Sequence, residues 1–400
     1  MLSRDIILNE IDSMKDYIFK TRRYLHENPE LSGEEFETSK FLKEEIKKLG
    51  LEIIEVEKTG FYATLDTKKP GKTIGIRADI DALPIKENER NLANKKLAIS
   101  KNDGVMHACG HDGHMTILLT CAKFFVKHKS ELKGKIIFIF EEGEEQGTGI
   151  NAMIDALKNI DIDGIYGTHL TSFMNVGEIS VDPGPVMAGA GRVWFDVIGK
   201  GGHGSRPDLS INPIFAASNI LNGLTSAWSN QIDVTKTVTL GIGSINGGSN
   251  LAPNVIPDSV EVTGTFRFFD MEEGIKALEI IKKVAELTAR AHKCKVVFSE
   301  KNSITVGPVV NDEKLSLIAK EAINNLYSKA LVENKTWFAS ESFSKYGQIA
   351  PSLFAFVGTK NDKLGSGAEH HNEYFDIDEE SMIYGCCATI GFVNKFLIEN

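Results

Sequence analysis

The sequence predicts an α/β fold: a larger domain with a central mixed sheet between helices, interrupted by an inserted, smaller α+β domain. Three observations lead there. The chain has 400 residues, and at roughly 100–200 residues per domain that length calls for two or three domains. Short apolar runs of strand length alternate with helix-period segments across residues 51–170. Near residue 187 the order changes to β-α-β-β-α-β.

Composition narrows the class. Hydrophobic residues make up 42% and charged residues 25%, which excludes a disordered chain, a collagen and a disulfide miniprotein. Lys+Arg is 45 against Asp+Glu 55, a net charge of -10, so nucleic acid meets no electrostatic footprint. Cys109, Cys121, Cys294, Cys386 and Cys387 are odd in number and scattered, unlike a disulfide framework. The opening MLSRDIILNEIDSMKDYIFK lacks an apolar core of signal-peptide type. No window approaches the ~18 apolar residues of a membrane span. A reducing cytoplasm is the expected location.

Residues 3–49 read as helix, closed by Gly50. LEIIEVEKT, FYATLDT and TIGIRADI read as strands, DGHMTILLTCAKFFVKHK as helix, and KIIFIFEE as a buried strand. NAMIDALKNI is a helix and GIYGTHL a short strand ending at His169. In the insert, RVWFDVIGK leads into the glycine-rich turn GGHGSRP. INPIFAASNILNGLTSAW and EEGIKALEIIKKVAELTARAHK are its helices; TVTLGIGSINGG, SVEVTGTFRFF and KVVFSE are strands. The expected boundaries are 1–186 with 305–400 for the discontinuous domain and 187–304 for the insert.

Four segments concentrate ligand-type side chains. GVMHACGHDGHM places Cys109 and His111 two apart in a loop before a helix. A thiolate and an imidazole so placed can face one borderline metal ion; an ordinary helix start capped by Asp112 is the competing reading. IIFIFEEGEEQ runs a buried strand into Glu141, Glu142, Glu144 and Glu145, where α/β sheets place their sites. Of a pair of glutamates, one can ligate a metal while its neighbour takes a proton from water; a solvated acidic loop is the alternative. His169 and the adjacent His370 and His371 complete the inventory. IRADIDALPI delivers Asp79 and Asp81 as carboxylates able to orient a ligand imidazole.

With these motifs in order, the chain resembles the zinc-dependent metallopeptidases that include aminoacylases, carboxypeptidase G and succinyl-diaminopimelate desuccinylase. Within them it is most similar to the amidohydrolases: hippurate hydrolases, N-acetyl-diaminopimelate deacetylases and plant indole-acetyl-amino-acid hydrolases. The resemblance rests on RRYLHENPELSGEE, IRADIDALPI, GVMHACGHDGHM, FEEGEEQGTG, GTHL, GKGGHGSRP, NVIPD, GTFRFF and HHNEYFDIDE. It implies a metal-binding catalytic domain and an inserted dimerisation or lid domain. It implies Cys109, His111, Glu145, His169 and His371 as ligands of two divalent ions (Zn, Mn, Ni or Co), Glu144 as general base, and Asp79 as a supporting carboxylate. It implies that His203 holds the oxyanion from the neighbouring subunit of a homodimer or dimer of dimers, with Asn254 and Arg267 binding substrate. The implied reaction is hydrolysis of N-acyl amino acids by metal-activated water, a dipeptidase or aminopeptidase being the alternative. No nucleic-acid or membrane partner is expected.

Departures are specific. Glu141 and Glu142 add charge beside the glutamate pair where the family usually has Gln and Pro, which would bear on metal affinity or substrate preference. SESF keeps Glu341 but puts Ser342 where an aspartate is usual, and Arg77 stands where other branches place a ligand histidine.

Overall fold

The structure, a computed structural model, describes residues 2–398. It divides into two compact units. One comprises Met1–Gly184, Val310–Lys335 and Lys345–Asn400; the other comprises Pro185–Val309 and Thr336–Ser344.

The first unit is built on a seven-stranded sheet in the order Ile53–Glu55, Phe61–Asp66, Lys135–Glu141, Thr73–Asp79, Gly164–Asn175, Ser352–Lys360, Ile179–Ser180. Its four inner strands run parallel, and the outer pairings are antiparallel. The inner strands are buried nearly throughout, as strands covered on both faces must be. Parallel alignment brings their C-terminal ends to one edge. There Asp79 is in register with Glu141.

Helices His111–Lys127 and Glu380–Phe396 pack on this sheet and on each other. The first opens at Gly110, whose φ of 93° is left-handed. A Cβ on Gly113 would come within 2.3 Å of Leu170 Cδ1. Its absence lets the first helical turn rest directly on strand Gly164–Asn175. Cys386 and Cys387 lie in the core, and all five cysteines are buried and outside any disulfide. Among the described residues, no helix is long and apolar enough to cross a membrane.

The second unit has an antiparallel sheet in the order Val238–Asn246, Ser259–Phe268, Gly189–Ile198, Lys295–Phe298, with Ile304–Val306 also on Gly189–Ile198. Helices Pro213–Gln231 and Met271–Ala291 close its own core around Phe195, Ile220, Phe266 and Ile281.

Three expectations change. The helical stretch 3–49 is three helices, Arg4–Ser13, Lys15–Glu27 and Phe36–Lys48, with the Pro29 segment between the last two, since the residue before a proline leaves the helical region. The strand carrying His169 continues to Asn175, so His169 is mid-strand rather than at its end; pairing with Ser352–Lys360, invisible locally, extends it. Finally, Thr336–Ser344 belongs to the second unit, because Trp337 and Ala339 bond the backbone of Val186 and Ala188.

Candidate metal centre

His111 is the first residue of its helix, and its ring is fixed from one side. Nδ1 donates to Asp81 Oδ1 at 3.0 Å and to the Asp81 backbone carbonyl at 2.9 Å. Nε2 is therefore the nitrogen presented to the interior. It is buried and has no hydrogen-bond partner. It lies 3.6 Å from Asp79 Oδ2 and 3.9 Å from Glu145 Oε1, the latter also buried without a hydrogen-bond partner. Burial opposes charge on His111, yet Asp79 and Asp81 push its pKa up to about 10. An acidic pocket of this kind favours a cation, be it a proton or a metal ion.

Asp81 does a second job. Its Oδ2 accepts from the backbone N–H of Glu145 at 3.0 Å and from Ser32 Oγ at 2.6 Å. One carboxylate thus holds an imidazole and the glutamate turn. Burial works against its ionisation, but His111 and these donors hold its pKa below the usual carboxylate range.

The remaining inward side chains close the group. Cys109 Sγ is 3.7 Å from His169 Nε2, and His169 Nδ1 donates to the Leu170 carbonyl at 2.8 Å. His371 Nε2 is 3.3 Å from Glu145 Oε1. His371 has a left-handed φ of 60°, a costly conformation for a residue with a Cβ, of the kind that gathers at functional sites. Ligand atoms of Cys109, His111 and His169 lie within 4.8 Å of one another; so do those of Cys109, Glu145 and His371, and those of His111, Glu144 and Glu145. Asp79, His111 and His114 form another such group. His114 nonetheless has no lone pair to offer. Its Nε2 accepts from Leu170 N at 2.9 Å, so Nδ1 carries the proton and donates to Asp79 Oδ1 at 2.7 Å.

Asp79 was expected to support a ligand imidazole. The carboxylate on His111 Nδ1 is Asp81, whereas Asp79 grips His114 and, through Oδ2, Arg77 Nη1 at 2.8 Å. Arg77 Nε donates to Glu141 Oε2 at 2.8 Å, as does the Tyr346 hydroxyl. Glu142 turns to Thr59 and Gly60. The added carboxylates at 141 and 142 are therefore engaged in buried structure. His370 is held apart from His371: its Nε2 accepts from Ser172 N at 3.2 Å, and burial lowers its pKa to about 3.

Within the second unit, strands Gly202–His203 and Val255–Ile256 pair, and Gly204 N donates to the Asn254 carbonyl at 2.7 Å. His203 and Asn254 thus lie side by side at one two-stranded antiparallel pair. His203 Nδ1 accepts from the Ser205 backbone N–H at 3.1 Å, which leaves the ring proton on exposed Nε2. Arg267 sits near the far end of strand Ser259–Phe268, bonded to Thr265 Oγ1 and the Phe266 carbonyl.

Behind the centre lies a buried charged network that the sequence reading did not assign. Arg22 Nε donates to Asp112 Oδ2 at 2.8 Å. His26 bridges Asp112 Oδ2 (2.8 Å from Nδ1) and Glu87 Oε1 (2.9 Å from Nε2). Lys96 Nζ bonds Glu87 and the backbone carbonyl of Glu373, in the loop after His371. Burial and Arg22 disfavour a charged His26, but Asp112 and Glu87 raise its pKa above the ordinary value. Its stabilising contribution is thus complete below about pH 6.5 and is lost as pH rises through the raised pKa. In metal-free protein, the gap in urea midpoint between wild type and His26→Gln should shrink from about pH 6 to about pH 9. A constant gap would show that folding does not raise the His26 pKa.

A parallel-centred sheet with a buried Cys/His/Glu cluster defines a class of metallohydrolase fold, and comparison with known proteins agrees. The model of peptidase family M20/M25/M40 matches residues 75–394, and the chain belongs to that family. It is 36% identical to thermostable carboxypeptidase 2 of Saccharolobus solfataricus, over 97% of this chain and 98% of that one. It is 34% identical to IAA-amino acid hydrolase ILR1-like 4 of Arabidopsis thaliana, over 99% and 89%, and 34% identical to the N-acetyl-L-cysteine deacetylase of Bacillus subtilis, over 93% and 86%. A crystal structure from Bacillus subtilis, described as a dinuclear metal binding peptidase of the M20 family, superposes with a TM-score of 0.83 at 31% identity, covering 96% of this chain and 99% of that one.

Proposed function

We propose that this chain is a cytoplasmic, metal-dependent amidohydrolase that cleaves the amide bond of N-acyl amino acids. The convergence of Cys109, His111, Glu145, His169 and His371 beside Glu144 carries the reading. The orphaned Nε2 of His111 and Oε1 of Glu145 fit a cation, and thiolate, imidazole and carboxylate together suit zinc, manganese, nickel or cobalt. Cys109 belongs to two of the ligand groups, which suits a site for more than one ion. Five buried cysteines outside any disulfide accord with a reducing compartment.

Ions held by Cys109, His111, Glu145, His169 and His371 would supply Lewis acidity. Glu144 accepts the proton of the attacking water and delivers it to the leaving nitrogen. Asp81 keeps His111 in the tautomer that faces the centre. His203 Nε2–H, supplied by the other subunit of a dimer, donates to the developing oxyanion. Asn254 and Arg267 bind the substrate, the arginine pairing with its carboxylate.

The test is a panel of N-acetyl, N-benzoyl and indole-acetyl amino acids beside free dipeptides, run with metal-reconstituted enzyme. Turnover of dipeptides alone would replace this reading with the peptidase one. His371→Ala should lose metal and activity, and His370→Ala should retain its metal, since His370 is bonded to Ser172. The opposite pattern would move the ligand by one residue.

If the dimer completes each site, Glu144→Gln and His203→Ala subunits should complement. Half the dimers in an exchanged equal mixture are mixed, each with one intact site, so about a quarter of wild-type activity should return. No activity despite demonstrated exchange would place His203 in its own chain's site or in a structural role.

A further inference from the structure

The block RRYLHENPELSGEE holds polar residues that the proposed reaction does not use. Glu35 is completely buried. Its Oε1 accepts from the backbone N–H of Gly143 at 2.8 Å. Gly143, with a left-handed φ of 60°, opens the turn Glu144–Gln146. A Cβ there would meet Thr148 Oγ1 at 2.1 Å, so the turn has no slack on that side. Glu35 Oε2 lies 2.8 Å from Thr59 Oγ1. The same hydroxyl lies 2.8 Å from Glu142 Oε2. That oxygen also accepts from the backbone N–H groups of Thr59 and, at 2.6 Å, Gly60.

Two buried carboxyl groups thus flank one hydroxyl, which has a single proton to donate. Were both ionised, one would turn an anionic oxygen toward the hydroxyl's lone pairs, with no water to screen it. Glu142 Oε2 already takes two N–H donors, an acceptor's arrangement that leaves no room for a proton on that oxygen. Glu142 Oε2 is thus an acceptor, and the hydroxyl proton goes to it. The remaining contact, between Glu35 Oε2 and Thr59 Oγ1, closes only if the proton lies on Glu35.

We propose that Glu35 is a neutral carboxylic acid that positions the turn bearing Glu144 and Glu145, donating from Oε2 to Thr59 and accepting at Oε1 from Gly143. Burial raises its pKa above the ordinary glutamate value; the backbone N–H groups of Gly33 and Glu35 and the Thr59 hydroxyl act against that, the charge of Asp81 with it, and the net direction is upward. Glu35 is a positioning residue; its effect on turnover rests on the reading of Glu144 as general base, while its protonation state does not. A side chain needing one donor and one acceptor is replaceable by an amide. Glu35→Gln can offer N–H to Thr59 and C=O to Gly143, whereas Glu35→Ala leaves the Gly143 N–H without its acceptor.

The experiment compares wild type, Glu35→Gln and Glu35→Ala in three measurements. Infrared spectra of metal-free protein at neutral pH should show a protonated-carboxyl C=O band that Glu35→Gln removes. Metal affinity by equilibrium dialysis should be unchanged in Glu35→Gln and about 10–100-fold weaker in Glu35→Ala, the usual scale for outer partners of a metal site. On the best substrate, Glu35→Gln should match wild type, and Glu35→Ala should lose kcat by about 10–100-fold with KM unchanged. Absence of the C=O band, or a glutamine variant as impaired as alanine, would overturn the neutral acid. Wild-type affinity and kcat in Glu35→Ala would overturn the positioning role. If no panel substrate is turned over, the functional reading fails, and the infrared and dialysis results still decide this one.

Discussion

Glu144→Gln will bind its metal as wild type does and lose turnover, kcat falling about 10²–10⁴-fold, the usual worth of a general base. Glutamine is isosteric, so the short helical turn Glu144–Gln146 between Gly143 and Gly147 should survive. Its backbone anchors, the Gly143 N–H on Glu35 and the Glu145 N–H on Asp81, do not involve the Glu144 side chain. What glutamine cannot do is accept a proton. KM should change little, because the lost interaction arises in the transition state. A variant with near-native kcat at full metal occupancy would remove Glu144 from the role, and would direct attention to another carboxylate of the centre.

Arg22→Met should destabilise the metal-free protein by about 3–5 kcal/mol, the scale for breaking a buried ion pair from one side. Arg22 is 1% exposed and faces Asp112 at 2.8 Å, Asp376 at 3.6 Å and Glu379 at 3.8 Å. Methionine fills similar space without charge, so the loss measures three acidic groups left short of a cation. Asp112 suffers most, since burial opposes its ionisation and Arg22 is the leading group that holds its pKa far below the ordinary value. Asp112 follows His111 directly, so metal affinity should fall with stability. A urea midpoint within experimental error of wild type would show that Lys96 and His26 suffice to balance the network. Adding Asp112→Leu to Arg22→Met should recover part of the stability, because a pair removed together leaves no unpaired charge.

Much of the first unit was legible because its signals are local. KIIFIFEE is apolar on both faces and becomes the inner strand Lys135–Glu141, and the glycine-flanked glutamates follow it as a turn. That loops after strands would gather ligand-type side chains could be anticipated from position; that Cys109, His111, Glu145 and His371 are the set is what the family resemblance implies. The choice of His371 over its neighbour came from the resemblance, through the spacing to Phe375; the local pattern says only that two adjacent side chains of an extended segment do not both face one ion. The network of Arg22, His26, Glu87 and Lys96 had no such signal. Its members read individually as charges on helices and loops, and their partners stand tens of residues away in the chain.

The sequence by itself determined the alternating order of elements, the interruption near residue 187, and which loops carry the ligand-type side chains, because hydrophobic period and turn chemistry are properties of neighbouring residues. Only the tertiary structure decided what each of those side chains does. Asp79 and Asp81 are two apart on one extended segment and equivalent by pattern; the landing place of helix His111–Lys127 gives His111 to Asp81 and His114 to Asp79. His114 looks like a ligand in its motif and is closed off by one backbone N–H of a distant strand. Glu141 and Glu142 look like extra charge at the centre and are drawn to Arg77, Tyr346, Thr59 and Gly60. A carboxylate or an imidazole takes its role from whichever donor or cation reaches it once water is excluded, and which group reaches it is set by packing between segments far apart in the chain.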